Sequence, residues 1–323
     1  MTMGDLKNKL NINLIKATAF FAILAVLMIA ASLAVKPRYG EVYDISKTNR
    51  KHIDLKDEKT DIDVVFSGDS VVYRSISPLQ IFTDYGFTSY DLSDSALRLC
   101  DAVSMVETSF DDHAPRLVVL ETNSLFTDSV PHKDKYAIPT NFIENLFPIL
   151  HYHVFYKTWL PDFSPEKPTA DEHKRLKGFE YSDSVIPYDN DPDYMDRGPS
   201  KENMSRESLK YLNELYAFTK ENNTDFLLIS VPRPVGWNNA RHDAVAEWAR
   251  ENSVPYIDLN KEDIGFDWNL DTMDGGDHMS FEGSKKVSNY LGKYIMENYS
   301  MDDHRGDSKY EDWNNSYREA GIY

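Results

Sequence analysis

The sequence predicts a three-layer α/β/α domain with a five-stranded parallel sheet, preceded by one transmembrane helix. Two observations predict the domain: five short apolar runs occur along the chain, and helical patterns separate them. A third observation predicts the transmembrane helix, because residues 17–35 form an almost unbroken apolar run close to the N-terminus.

The five apolar runs are continuous rather than alternating. This pattern is typical of strands that are covered on both faces, and therefore of a parallel sheet. The predicted strands are Val64 to Phe66, Gly86 to Ser93, Arg116 to Asn123, Asp225 to Pro232 and Val254 to Asn260.

Helical stripes lie between and after these runs, and Ser205 is a plausible cap before the clearest one. The stripe positions are Leu209, Leu212, Leu215, Tyr216 and Thr219, and then Val287, Tyr290, Leu291, Tyr294 and Ile295. Strands that alternate with helices indicate a doubly wound fold, in which sites lie beyond the carboxyl ends of the strands. Ser70, Asn123 and the loop at 232–237 fall there.

The run "ATAFFAILAVLMIAASLAV" at 17–35 has about the ~20 residues that a helix needs to cross a bilayer. Lysines within residues 1–16 favour a cytoplasmic N-terminus and a cell-membrane protein with one pass and an extracytoplasmic C-terminal domain. The alternative is a cleaved signal peptide, because Ser32-Leu33-Ala34 is a small-x-small sequence.

Composition limits the possible partners of the chain. A formal net charge of −18 over 323 residues argues against a nucleic-acid partner, since phosphate binding draws its affinity from lysine and arginine. The one cysteine, Cys100, excludes an intrachain disulfide.

Polarity divides the rest of the chain. We expect a linker at 36–61, a catalytic-type domain at 62–299 and a polar, loosely held tail at 300–323. The stretch at 124–200 is rich in aromatic residues and proline and too long for a plain connection, so we expect an insertion that covers the site.

The segment "VVFSGDSVVYRS" carries the first chemical signal. A strand runs into Ser67-Gly68-Asp69-Ser70, and a serine that acts as a nucleophile needs a histidine base oriented by a third group. His278 lies in a loop before the last helix, with aspartates around it. These aspartates do not match the regular calcium-loop pattern, so we expect neither a metal nor a cofactor.

Three blocks of the sequence resemble the SGNH or GDSL hydrolases. Gly68-Asp69-Ser70 matches their first block, Glu121-Thr122-Asn123-Ser124 partly matches Gly-x-Asn-Asp, and Asp274 to His278 approximates the last block. The resemblance implies a flavodoxin-like SGNH fold. In detail the chain looks most like membrane-anchored, extracytoplasmic SGNH-like proteins of teichoic-acid D-alanylation and polysaccharide O-acetylation, which act beside an MBOAT-type membrane acyltransferase.

The resemblance also implies roles for individual residues. Ser70 would be the nucleophile, His278 the base and Asp274 the orienting acid, with Asp277 as the alternative acid. Asn123 and a backbone N–H of Ser95, or of Ser93, would bind the oxyanion. The chain departs from the family pattern in two places: Glu121 replaces a glycine, and Asp274 lies four residues before the histidine rather than three.

These signals predict a serine esterase or O-acyltransferase that acts on acyl esters of a cell-envelope polysaccharide or related polymer through a Ser-His-Asp acyl-enzyme. The expected partners are a cell-surface glycan or acylated polymer and an MBOAT-type acyltransferase. The alternative is a non-catalytic SGNH-like envelope protein that binds glycan or scaffolds such an acyltransferase.

Overall fold

The computed structural model describes residues 3–35, 51, 54–127, 149, 176–189 and 193–323. The chain divides into two compact units. One comprises Met1–Ser46 and Lys133–Pro168, and the other comprises Lys47–His132 and Thr169–Tyr323. All the candidate site residues belong to the second unit.

The first unit contains helix α1, Met3–Val35. Within the described part of the chain, this is the one helix that is long and apolar enough to cross a membrane, over Ile12–Ser32. Its large apolar side chains from Ile12 to Ile29 are largely exposed to the surroundings. The helix fits a membrane anchor or a signal sequence.

The second unit is built on five parallel strands. Their spatial order is β2-β1-β3-β4-β5, the flavodoxin-like order of doubly wound proteins. The predicted parallel sheet of five strands is therefore confirmed. The strands are β1 Val64–Gly68, β2 Ser89–Ser93, β3 Leu117–Glu121, β4 Asp225–Ser230 and β5 Tyr256–Asp258.

Helices cover both faces of this sheet, which completes the predicted three layers. One layer holds α2 Ser70–Ser75, α3 Pro78–Tyr85, α7 Phe281–Asn298 and α8 Glu311–Ala320. The other holds α4 Leu99–Ser109, α5 Arg206–Glu221 and α6 Asn239–Asn252. Ser205 caps α5 as expected, since its side chain accepts a hydrogen bond from the N–H of Ser208.

Alternate residues of β1, β3, β4 and β5 supply the core between the sheet and the first helical layer, because side chains alternate across a strand. Val64 and Phe66 of β1 pack there with Val287 and Leu291 of α7, and all four side chains are fully buried. Burying such side chains stabilises the fold by about 1.5–3 kcal/mol each. This packing fixes the start of α7, just after His278, against the end of β1.

The chain immediately before the sheet packs on the domain, so the linker predicted at 36–61 is too long. Leu55 is 1% exposed and Asp54 is fully buried. The backbone oxygen of Leu55 also lies 2.8 Å from Nε2 of His113. The apolar residues of this mostly polar stretch have no sustained periodicity, which is why the sequence pattern did not reveal this contact.

The C-terminal residues are an ordered part of the domain, so the loosely held tail expected at 300–323 is wrong. Trp313 of α8 is fully buried, and its ring centroid lies 5.2 Å from that of Phe82. Its Nε1 donates a 2.9 Å hydrogen bond to Oγ1 of Thr60. One tryptophan therefore joins the C-terminus to the segment before β1.

Trp313→Ala is expected to lower the free energy of unfolding by about 3–5 kcal/mol, because it removes a fully buried ring and leaves a cavity. Urea denaturation of the full-length protein measures this change. Asp312→Ala, at an exposed position of the same helix, is the control and should change stability by less than about 0.5 kcal/mol. A loss below about 1 kcal/mol for Trp313→Ala would contradict the packing role.

Candidate active site

Ser70 lies where β1 meets α2, at the carboxyl edge of the sheet. Asp69 caps α2, its Oδ1 accepting a 3.0 Å hydrogen bond from the N–H of Val71, and Ser70 is the first helical residue. The turn needs glycine at position 68. A Cβ atom there would lie 2.7 Å from Cγ2 of Val72 and 2.9 Å from Cβ of Glu121.

His278 lies in the loop before α7, and a bridge between Thr272 and Met279 closes this loop. Its Nε2 lies 2.8 Å from Oγ of Ser70, and its Nδ1 lies 2.6 Å from Oδ2 of Asp274. Residues more than 200 positions apart in sequence thus form one hydrogen-bonded chain, as a nucleophile, a base and an orienting acid require.

Asp274 reaches the imidazole across four residues because the chain turns at two glycines. Gly275 and Gly276 have φ angles of 80° and 100°, in the left-handed region that glycine adopts without strain. Oδ1 of Asp274 also accepts hydrogen bonds from the backbone N–H groups of Asp277 and His278, at 3.2 and 2.8 Å. These contacts fix the carboxylate relative to the ring.

Asp277, the alternative acid, has a different partner. Its Oδ1 accepts a 2.7 Å hydrogen bond from Nε of Arg233 and forms an ion pair with Nη2 of the same side chain at 2.5 Å. Its Oδ2 lies 3.7 Å from Nδ1 of His278, beyond hydrogen-bond distance. The structure thus brings Asp274, rather than Asp277, into hydrogen-bond contact with the base.

Asn123, the predicted oxyanion donor, lies beyond the end of β3 and is 4% exposed. Its Nδ2 donates a 2.6 Å hydrogen bond to Oδ2 of Asp69, the residue beside the nucleophile. Its backbone N–H donates to Oε2 of Glu121 at 2.9 Å. One hydrogen of the side-chain amide points to Asp69, and a primary amide carries two.

Ser95, the other predicted oxyanion residue, is exposed, and its backbone N–H donates a 2.6 Å hydrogen bond to Oδ1 of Asp94. Ser93, the alternative, is a fully buried residue at the end of β2. The described contacts do not connect either serine with Ser70.

Glu121 stands where the resembled family has glycine, and it is 2% exposed. Burial raises the pKa of its carboxyl group to about 8, and the charge of Asp69 adds to this effect. The hydrogen bond from the N–H of Asn123 and the charge of Arg233 act in the opposite direction. A carboxyl group that is protonated at neutral pH therefore lies between the nucleophile turn and Asn123.

Arg233 is the site residue that sequence reasoning missed. It follows β4 in the loop at 232–237, which the fold places at the carboxyl edge of the sheet. Its backbone N–H donates a 2.9 Å hydrogen bond to Oδ1 of Asn260, and Nδ2 of Asn260 donates to Oδ1 of Asp258 at 2.7 Å. An arginine in that loop was the available signal, but its partner lies 44 positions away.

Asp274, Asp277 and His278 present ligand atoms within 4.8 Å of one another. Three such groups are a geometrically possible cation site. However, Asp277 already binds Arg233, and Nε2 of His278 lies at Ser70. These contacts favour a serine-histidine-aspartate triad over a metal centre.

Part of the predicted insertion is hydrogen-bonded to the loop that carries Asp274. The N–H of Ile186 donates to the backbone oxygen of Thr272 at 3.2 Å, and the N–H of Gly275 donates to the oxygen of Ile186 at 3.0 Å. Ile186 of the segment 176–189 thus lies beside the loop that carries Asp274. The aromatic residues at 142–159, expected to cover the site, lie outside the described residues.

No protein-family model matches the chain, and no curated protein matches it. The chain does match solved structures. A protein described as an acylhydrolase, from Bacteroides fragilis, is 12% identical, with a TM-score of 0.43 over 79% of this chain and 99% of that one. A GDSL-like lipase from Bacteroides thetaiotaomicron is 12% identical, with a TM-score of 0.40 over 79% and 100%. A family 3 carbohydrate esterase from Clostridium thermocellum is 14% identical, with a TM-score of 0.38 over 74% and 96%.

By their descriptions these three neighbours are an acylhydrolase, a GDSL-like lipase and a carbohydrate esterase. Similarity to the D-alanylation and O-acetylation proteins stays a prediction. Identities and TM-scores at this level carry no argument about activity.

Proposed function

We propose that the protein is a serine esterase or acyltransferase that works through an acyl-enzyme on Ser70. The observation that carries this proposal is the hydrogen-bonded chain from Oγ of Ser70 through His278 to Oδ2 of Asp274, with distances of 2.8 and 2.6 Å. A buried cap, a glycine turn and a closed loop hold the three side chains in place, so the arrangement is built into the fold.

The hydrogen bonds imply the tautomer of the base. Asp274 is an acceptor, so Nδ1 of His278 carries the proton and Nε2 accepts the hydroxyl proton of Ser70. As Oγ attacks the acyl carbonyl, the proton moves to Nε2, and the Asp274 carboxylate stabilises the imidazolium. The same proton then passes to the leaving alcohol, which leaves the acyl group on Ser70.

The second half of the reaction repeats these steps with an acceptor. His278 removes a proton from water or from a sugar hydroxyl, and that oxygen attacks the acyl-enzyme. Water gives hydrolysis and a sugar hydroxyl gives transfer. The second hydrogen of the Asn123 amide is the donor that we assign to the oxyanion, a contribution commonly worth about 10²-fold or more in rate.

We further propose that the substrate is an acyl ester of a cell-envelope polysaccharide or related polymer, outside the cytoplasm. The apolar helix α1 supports this location, since it is long enough to hold the protein at a membrane or to direct its export. The sequence resemblance supports an MBOAT-type acyltransferase as the partner that supplies the acyl group.

A fluorophosphonate probe tests the enzyme directly, because it forms a covalent bond only with an activated serine. The full-length protein should be labelled, and Ser70→Ala should lose the label completely. Ser67→Ala is the matched control, because this serine precedes the same turn but is fully buried in β1. Unlabelled wild-type protein, or labelling that persists in Ser70→Ala, would count against the proposal.

The second candidate is a non-catalytic SGNH-like protein that binds glycan or scaffolds the acyltransferase. Two contacts favour it: the N–H of Ser95 is directed to Asp94, and the Asn123 amide donates to Asp69. An oxyanion site with fewer free donors stabilises a transition state less. This candidate would be favoured if the fluorophosphonate probe does not label the wild-type protein and the protein nevertheless binds envelope glycan specifically.

A further inference from the structure

Two carboxylates lie beside His278, the base of the triad, and only one of them can accept the hydrogen bond from its Nδ1–H. Asp274 Oδ2 lies 2.6 Å from Nδ1 of His278, and Asp277 Oδ2 lies 3.7 Å from the same atom. A modest rotation of Asp277 would let it compete for the ring N–H. Its charge also favours the protonated imidazole, which cannot act as a base.

Arg233 holds Asp277 by a hydrogen bond from Nε and an ion pair with Nη2, both at Oδ1. The pair is partly buried, with side-chain exposures of 19% for the arginine and 35% for the aspartate. A guanidinium that contacts a carboxylate oxygen through two nitrogens restricts the position of that oxygen. It also offsets the negative charge of Asp277 next to His278.

The backbone around Arg233 is itself anchored, so the guanidinium is not a loose surface group. Asn260 accepts the N–H of Arg233 and donates to the backbone oxygen of Val231 at 3.2 Å. The N–H of Val235 donates to the oxygen of Gly276 at 3.1 Å, which ties this loop to the loop of Asp274. These hydrogen bonds connect the two loops and hold the backbone of Arg233 beside Asp277.

We propose that Arg233 is a positioning residue of the triad, which holds Asp277 and offsets its charge so that Asp274 is the acceptor for Nδ1 of His278. This role rests on the proposed esterase function. It acts through Asp277 and requires no contact between Arg233 and the substrate.

The charged groups around His278 define what each variant should do. Asp274 and Asp277 lie on its own loop, Arg233 lies on the loop after β4, Asp69 lies beside Ser70, and Glu121 lies at the end of β3. Removing Arg233 leaves the charge of Asp277 uncompensated near the imidazole. Removing Asp277 leaves the charge of Arg233 uncompensated. The two changes therefore have opposite signs.

The experiment measures kcat/KM for a small activated ester, such as p-nitrophenyl acetate, against pH. Arg233→Gln is expected to move the acidic limb of the profile by about one pH unit to higher pH, because an unpaired negative charge a few ångströms away favours the imidazolium. Asp277→Asn is expected to move the limb to lower pH. High salt should reduce both shifts.

The double variant Arg233→Gln with Asp277→Asn separates the proposal from a merely structural ion pair. It should restore the wild-type limb to within about 0.3 pH units, since neither uncompensated charge remains. If the ion pair were only structural, the double variant would be impaired like the single variants, because it lacks the same contact. The charge of Arg233 also lowers the pKa of Glu121. Loss of this effect cannot explain a restored limb, because the double variant lacks Arg233 just as the single variant does.

Arg241→Gln is the matched control. Arg241 also pairs with a carboxylate, Glu202, and its Nη1 donates to the oxygen of Gly236 in the same loop as Arg233. This replacement should loosen the loop at 232–237 without changing the pH at which the acidic limb of the profile lies.

If the wild-type protein does not turn over the ester at all, the proposed function is wrong, and the role of Arg233 is wrong with it. Turnover with an unshifted limb in Arg233→Gln and Asp277→Asn would overturn the role of Arg233 alone. If Arg233→Gln does not fold, the sign of the Asp277→Asn shift decides.

Discussion

Ser70→Ala, His278→Ala and the double replacement are expected to lower kcat for a small activated ester by nearly the same factor, about 10⁴-fold or more. The reason is that Oγ of Ser70 and Nε2 of His278, 2.8 Å apart, act as one unit. Either group alone cannot perform the proton-coupled attack. The second replacement should therefore cost no more than about threefold beyond the first.

Steady-state kinetics of the four proteins, the wild type included, measure this non-additivity. Asp274→Asn is expected to be severe, about 10³–10⁴-fold, because it disturbs the tautomer and orientation of the ring. Asp277→Asn is expected to stay within about tenfold, since Arg233 holds this side chain away from the base. Independent, multiplicative losses for Ser70 and His278 would contradict the pairing, and a larger effect at Asp277 would move the acid there.

The fold was predictable because its signal is local. Four strands consist mostly of apolar residues, as burial on both faces requires, whereas β2 alternates polar and apolar side chains although all five of its residues are buried. The five runs lie where the structure has strands, although the ends differ: β2 begins at Ser89 rather than Gly86, and β3 ends at Glu121, where a short 3-10 helix begins. Strand ends depend on turn geometry, which single residues determine only weakly.

The parts that were missed depend on contacts between distant residues in polar stretches. Trp313 meets Thr60 across 253 positions, and each lies in a segment whose average composition is polar. Burial of one tryptophan favours ordering of the chain around it, although the helix that carries it is short and otherwise mostly polar. Local polarity alone therefore predicted a tether and a loose tail where the chain is packed.

The candidate site was predictable to the extent that topology determines it. Parallel strands end at one edge of the sheet, so a serine after β1 and a histidine before the last helix are brought to the same side. The pairing of Asp274 with the ring additionally needs the left-handed turn at Gly275 and Gly276. The partner of Asp277 depends on Arg233, from another loop, and no local pattern encodes such an ion pair.

Glu121→Gln is expected to stabilise the protein increasingly as pH rises from about 5 to 8. Burial, with the charge of Asp69, raises the pKa of Glu121 in the folded protein to about 8 from an ordinary value of 4.5. The folded state thus binds a proton that the unfolded chain has already released. The resulting stability is complete below about pH 4.5 and is lost progressively up to about pH 8.

Because glutamine does not ionise, the difference in unfolding free energy between Glu121→Gln and the wild type should rise by about 1.4 kcal/mol per pH unit, or about 4 kcal/mol over this window. Urea denaturation of both full-length proteins between pH 5 and 9 measures it. The difference is the informative quantity, since burial also raises the pKa of Asp91 and affects both proteins alike. Glu247→Gln, at an exposed position on α6, is the control and should differ from the wild type by less than about 0.5 kcal/mol throughout. A difference for Glu121→Gln that does not change with pH would mean that this buried carboxyl group does not titrate as its surroundings require.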